Sequence, residues 1–410
     1  MKRIKAMWIA GEASGDVLAA ELAVELRKCL AEATTIGSPF SQPLFAPIEP
    51  YFFGAGGEKM QSNGIKTIVD FTKHSAIGPY DVIKNLKYYK EAFNRLLEVA
   101  FSETPDVIIC VDFSGFNLRF ISRLRKEIKK RCSQFFKFNP LIVQYISPQV
   151  WASRPWRVKK IAENFDLLLS IFPFEKEWYK KRAPNLRVEF VGHPLLDRYD
   201  KNRVLNSHAS SEIRVVLLPG SRVGELKRHV PVMDMAARLI RESIPDVQFS
   251  MVLPNDELKS LAAQLISEGA KICLSAGNLQ DALAKATLAI ASTGTVTMEC
   301  AYFRVPTVAI YKTSTLTYLI GKKIVTVKHL AMPNIIAGEE VYPEFIQSAA
   351  TAENIAGAAT RIINDKEQIN AIKSKLDNVI SMLGEPASTR RSAKIISELL
   401  ISRMPLVWQT

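Results

Sequence analysis

Short, almost wholly apolar runs of strand length recur along this chain, and stretches with helical periodicity lie between them. A first series of runs falls at residues 4–10, 51–54, 106–112, 141–147, 166–171 and 187–191. A second falls at 213–218, 247–253, 270–274, 287–292 and 307–311. Helical spacing shows in Leu18, Leu22 and Leu26, and again in Met235 and Leu239 with Ile240 alongside. A strand that is apolar on both faces must be covered on both faces, and alternating helices supply the cover. The pattern therefore predicts an α/β fold with parallel, doubly wound sheets. The polar stretch 197–211 (DRYDKNRVLNSHASS) separates the two series, and each side has the length of one Rossmann-like domain. The expected division is 1–200, 212–385 and a closing helical segment at 386–410. Residues 34–50, with four prolines, and 131–140 read as loops.

Composition narrows the class. With 48% hydrophobic and 23% charged residues, the 410-residue chain is an ordinary globular protein rather than a disordered one. Its five cysteines are scattered without a C-x-x-C, which fits a reduced compartment and excludes a disulfide scaffold. No apolar run reaches the ~18–20 residues that span a bilayer. Glu12 and Asp16 interrupt the segment after the basic N-terminus, against a signal peptide. The excess of 54 Lys and Arg over 41 Asp and Glu, a net +13, calls for nucleic acid, anionic lipid or phosphorylated substrates as partner.

In doubly wound sheets ligands bind beyond the carboxyl ends of the strands, so chemistry is sought there. After the first strand, Gly11-Glu12-Ala13-Ser14-Gly15-Asp16 leads into a helix. It suits either anion binding or a tight turn capped by Ser14 or Asp16. Asp112 ends a buried strand, as a general base or as a helix cap. Pro219-Gly220-Ser221-Arg222 offers glycine, hydroxyl and guanidinium for a phosphate, or is an ordinary strand–helix turn. Thr293-Gly294-Thr295 opens a helix in the same way, with Glu299 one turn later, able to accept two ribose hydroxyls or simply to face solvent. No H-x-x-x-H or C-x-x-C indicates zinc, and no D-x-D suggests a metal holding a nucleotide diphosphate. Dinucleotide and α/β-hydrolase fingerprints are missing too. Basic residues mix with aromatic ones at 77–100, 119–131 and 151–160. Each stretch suits an anionic membrane surface or the solvated face of a domain helix. RRM, KH and helix-turn-helix signatures are missing.

Taken together, the blocks resemble the lipid-A-disaccharide synthase family. They are Ile9 to Asp16; Pro105-Asp106-Val107 through Asp112 to Arg119; Tyr145 to Ala152 with Arg157 to Ile161; Phe172-Pro173-Phe174-Glu175 to Val191-Gly192-His193-Pro194; Leu217 to Arg222 with Glu225; Gly294 to Glu299; and Pro333-Asn334 to Glu340. The resemblance implies a GT-B glycosyltransferase, two Rossmann-like domains facing a central cleft. The implied reaction moves 2,3-diacylglucosamine from UDP to the 6-hydroxyl of 2,3-diacylglucosamine 1-phosphate (lipid X). The β-1,6-linked disaccharide 1-phosphate forms and UDP leaves, with inversion and without metal or other cofactor.

It further implies Asp112 as candidate base and Arg222, with Ser221, Gly294 and Thr295, on the UDP diphosphate. Glu299 would take the ribose, and Asn334 and Glu340 would line the nucleotide side. Glu12, Ser14, Gly15 and Asp16 would line the acceptor side. Closure of the cleft would bring Asp112 and Arg222 together. The first domain would dock peripherally on the anionic cytoplasmic face of the inner membrane, with no nucleic-acid partner and with a homodimer left open. Gly115 stands where the family usually has a second acid, and Ser153 where it usually has Trp. A related UDP-sugar enzyme, such as a 2-epimerase or a transferase for another lipid, is the alternative. A non-enzymatic basic nucleotide- or nucleic-acid-binding protein stands behind both.

Overall fold

A computed structural model describes residues 2–35, 48–72, 86–131, 133, 136–199, 212–269 and 271–403. The chain divides into two compact units, Met1–Asp197 with Glu385–Thr410, and Arg198–Gly384.

The first unit is built on seven strands: β1 (Lys2–Ala10), β2 (Ile48–Gly56), β3 (Lys66–Asp70), β4 (Val107–Val111), β5 (Leu141–Tyr145), β6 (Leu167–Ser170) and β7 (Arg187–Phe190). They form one parallel sheet in the order β3-β2-β1-β4-β5-β6-β7. Trp8 of β1 pairs with Gly54 on one side and Ile109 on the other, so β1 and β4 are central neighbours. Every residue of β4, β5 and β6 is buried, as a strand covered on both faces requires. Each fully buried Ile, Val or Leu in such a strand adds about 1.5–3 kcal/mol over an exposed one.

The closing helix Ser388–Ser402 belongs to this unit. The Asp197 carboxylate accepts from the Ser388 and Thr389 amides at 3.3 and 3.2 Å and from the Ser388 hydroxyl at 2.8 Å, capping the helix start. Arg391 Nε donates to the Val191 carbonyl at 2.9 Å.

The second unit repeats the plan with β8 (Arg214–Leu218), β9 (Gln248–Leu253), β10 (Ile272–Ala276), β11 (Leu288–Ser292), β12 (Thr307–Tyr311) and β13 (Glu344–Ile346). The order is β10-β9-β8-β11-β12-β13, again all parallel. Ile290 of β11 pairs with Leu217 and Val308.

The sequence differs from this in places. β2 starts at Ile48, inside the expected loop at 34–50, whose residues 36–47 lie outside the described residues. β3 and β13 lack a long apolar run because they are half-buried edge strands. β10, also an edge, lies two residues later than its apolar pattern suggests. Of the other polar or basic segments, 200–211, 73–85 and parts of 131–140 lie outside the described residues.

Candidate active site

In each sheet the strand order reverses between two neighbours, β1 and β4 in the first and β8 and β11 in the second. Such a switch point leaves a crevice beyond the carboxyl ends. Four of the segments singled out in the sequence lie at these ends.

In the first unit, Gly11 follows β1 because a side chain has no room there. A Cβ on Gly11 would lie 2.1 Å from Cγ of Phe113. Phe113 in turn stacks on Phe116, with ring centres 5.2 Å apart. Gly15 is buried, and a Cβ there would stand 3.7 Å from the Val111 carbonyl oxygen and 3.9 Å from the Cβ of Asp112. Glu12 and Ser14 are exposed at the same strand ends.

Asp16 is placed otherwise than expected. It is buried, and its carboxylate accepts the Gly57, Lys59 and Met60 amides at 2.7, 2.9 and 3.2 Å. It caps the short helix Glu58–Ser62 and fastens β2 to the turn after β1. That is a structural duty, because its oxygens already hold three backbone donors.

Asp112 and Phe113 both take left-handed backbone angles, φ 46° and 41°, which non-glycine residues rarely adopt. The surroundings hold them there. The Asp112 amide donates to the Tyr145 carbonyl at 3.1 Å. Its own carbonyl accepts from Asn117 Nδ2 at 2.9 Å and Gln144 Nε2 at 3.1 Å. Gln144 also reaches the Tyr145 and Ile146 carbonyls, and Ile146 is left-handed too, at φ 65°. Gln144 carries no motif of its own in the sequence, and Asn117 stands in the Asp112 to Arg119 block without a role assigned there. The available signal was one amide inside the otherwise apolar strand Leu141–Tyr145. The Asp112 carboxyl is exposed to solvent, yet the protein mass around it and then the Glu12 carboxylate push its pKa up. The Phe113 amide partly offsets this. Both features, a raised carboxyl and a strained backbone, are ones that recur at functional sites.

In the second unit a cavity of about 420 Å³ opens at the switch point. Ser221, Arg222 and Glu225 line one side, and Gly294, Thr295 and Glu299 another. Val252, Leu253, Pro254, Gly277 and Leu279, at the ends of β9 and β10, also line it. This last group was also missed, because only the turns after β8 and β11 carried a polar signature.

Gly220 sits at φ 119°, and a Cβ there would fall 2.2 Å from Glu225 Oε2. That same oxygen accepts the Ser221 amide at 3.0 Å. Arg222 is exposed at the N-cap of the helix Val223–Ser243, 3.9 Å from Glu225 Oε1. His229, buried in that helix, braces the turn from behind. Its Nδ1 bonds the Pro219 carbonyl at 2.6 Å, and its Nε2 accepts the Lys312 amide at 3.0 Å. This pairing requires the neutral ring with its proton on Nδ1, and burial lowers the pKa accordingly.

The Thr297 hydroxyl closes the Gly294 turn by donating to its carbonyl at 2.7 Å. Glu299 Oε1 accepts the Tyr199 hydroxyl at 2.9 Å, and burial raises both groups.

Asn334 and Glu340 do not line this cavity. Asn334 is fully buried and bonded on both ends of its amide, to Val341, Tyr342 and Glu344, so it shapes its own loop. Glu340 is exposed. The structure thus gathers Ser221, Arg222, Gly294, Thr295 and Glu299 at one cavity, and Glu12, Ser14, Gly15 and Asp112 at the strand ends of the other unit.

The family model for lipid-A-disaccharide synthetase matches residues 6–399. A relative from Geobacter metallireducens, named lipid-A-disaccharide synthase, is 34% identical over 403 residues, covering 97% of each chain. Among solved structures, the calicheamicin glycosyltransferase CalG4 superposes with TM-score 0.55 at 11% identity, covering 98% of this chain and 100% of its own. The UDP-GlcNAc 2-epimerase from Neisseria meningitidis, solved bound to UDP-GlcNAc, gives TM-score 0.53 at 12% identity, covering 98% and 100%. These two likenesses show a shared GT-B fold and no more. The family match and the full-length relative decide the rest: the chain belongs to the lipid-A-disaccharide synthase family.

Proposed function

We propose that this glycosyltransferase of lipid A disaccharide synthesis holds the UDP of its donor in the second unit's cavity and uses Asp112 as the base. The full-length family match carries the reaction class. The observation that carries the site is the gathering of Ser221, Arg222, Gly294, Thr295 and Glu299 around one cavity.

The donor is UDP-2,3-diacylglucosamine and the acceptor 2,3-diacylglucosamine 1-phosphate. The acceptor 6-hydroxyl attacks the anomeric carbon, and the bond from that carbon to the UDP diphosphate breaks. The hydroxyl proton passes to the Asp112 carboxylate, and the charge left on the diphosphate is stabilised by Arg222. Glu299 accepts the ribose hydroxyls, and the apolar wall at Val252, Leu253 and Leu279 suits the uracil ring. The Ser221 amide is already held by Glu225, so the phosphate contacts here are assigned to Arg222 and the Gly294–Thr295 turn.

Both substrates carry acyl chains, which gives the basic and aromatic first unit a purpose. Trp156 is 65% exposed between exposed Arg154 on one side and Lys159 and Lys160 on the other. An interfacial aromatic ring among cations suits peripheral docking on an anionic cytoplasmic leaflet. No helix among the described residues is long and apolar enough to cross a membrane.

The nucleotide assignment is tested by calorimetric titration with UDP. Arg222→Ala should weaken binding about tenfold or more, as expected for a lost charge-assisted contact to phosphate. Unchanged affinity in the folded variant would remove Arg222 from the diphosphate.

A further inference from the structure

We infer that Tyr199 is a positioning residue for donor recognition: its hydroxyl fixes the Glu299 carboxylate in the orientation that accepts the ribose hydroxyls of the nucleotide. The inference rests on the reading of Glu299 as the ribose acceptor and goes beyond it, because it assigns a role to a residue in the polar stretch that follows Asp197.

Three observations carry it. Tyr199 donates to Glu299 Oε1 at 2.9 Å, and Glu299 lines the cavity. Tyr199 is itself held: its backbone carbonyl accepts the Tyr302 hydroxyl at 2.8 Å. Its ring packs against Tyr302 and Phe303, with centres 5.4 and 5.0 Å apart. Tyr302 and Phe303 lie one turn beyond Glu299 on the same segment, so donor and acceptor of the hydrogen bond share one rigid support.

The chemistry follows from counting donors and acceptors. An ionised carboxylate offers about four lone-pair sites and no donor. Tyr199 takes one and leaves the others for a vicinal diol, which presents two hydroxyl donors. A carboxylate in a buried wall, without such a partner, would turn about its last bond or take up a proton. In either state it would lose part of its acceptor capacity toward the diol. The Tyr199 hydroxyl opposes both, because its hydrogen bond favours the ionised Glu299 while the tyrosine keeps its own proton. Phenylalanine at 199 would keep the ring packing and delete only this hold.

The test compares UDP with 2′,3′-dideoxy-UDP, which lacks both ribose hydroxyls. Affinities are measured by calorimetry on the full-length protein, wild type and Tyr199→Phe, with Glu299→Gln as control. The expected result is a loss of about fivefold for UDP in Tyr199→Phe, the scale of one hydrogen bond, and little change for the dideoxy nucleotide. Equal losses for both nucleotides, or no loss for either, would overturn the inference by reducing Tyr199 to a packing residue. Should Tyr199→Phe fail to fold, Tyr302→Phe loosens the same support. A smaller loss confined to UDP is then expected, and an unchanged ratio of the two affinities overturns the inference. The control separates the two levels. If Glu299→Gln leaves the ratio at the wild-type value, the ribose reading itself fails. If it lowers the ratio while Tyr199→Phe does not, only the role of Tyr199 fails.

Discussion

Asp112 is proposed as the general base because of what stands around it, and the first consequence is a pH effect. Its carboxyl is raised first by the surrounding protein and then by Glu12. The acidic limb of kcat/KM reports the free enzyme's base, which must be ionised to take the proton, so activity rises with pH through the raised value. Glu12→Gln removes one negative neighbour and eases ionisation of Asp112. The limb should move to lower pH, read from a pH profile of disaccharide formation. A limb that stays in place, or moves up, would contradict the assignment of Asp112 as the titrating base. At this scale the sequence was informative about position: Asp112 directly follows β4, and Arg222 and Glu299 line one cavity. It was silent where chemistry depends on a partner far along the chain. Asp16 looks like a ligand residue in its motif, and only the folded chain brings it to the amides of Gly57, Lys59 and Met60.

Among the elements, the helix Pro173–Lys180 is tied in by a buried acid. Glu175 is fully buried, accepting Trp151 Nε1 at 2.9 Å and the Phe172 amide at 3.3 Å, and burial lifts its pKa to about 7. The folded chain therefore holds a proton here that the unfolded chain releases once the pH exceeds the ordinary Glu value. The stabilisation is complete below that value and is lost as pH rises through about 7. The change is on the order of 3 kcal/mol across the window. Urea midpoints of wild type should fall between pH 5 and 8, and Glu175→Gln, which cannot titrate, should flatten the fall. Parallel curves for the two proteins would contradict this. Element identity was legible because β4, β5 and β11 are buried end to end and so read as nearly all-apolar runs. Edge strands β3 and β13 were not, since half-burial leaves no such run.

For the whole molecule, two parallel, doubly wound sheets were readable from strand–helix alternation on either side of a polar stretch, whereas their strand orders were not. The recruitment of the closing helix by the first unit was not, because it depends on Asp197 meeting Ser388 and Thr389 across the length of the second unit's sequence. The peripheral docking proposed for the first unit predicts stronger flotation with anionic than with zwitterionic vesicles, weakened by Trp156→Ala; equal flotation with both would contradict it.

A transfer assay tests the reaction and the base together. Purified protein is given UDP-2,3-diacylglucosamine and 2,3-diacylglucosamine 1-phosphate, with Asp112→Asn alongside. The expected result is disaccharide 1-phosphate and UDP from wild type. A folded Asp112→Asn that still binds UDP should be slower by about 10²–10⁴-fold, the range for a lost general base. Folded wild type that forms no disaccharide with any acyl length, or Asp112→Asn that forms it at the wild-type rate, would contradict the account.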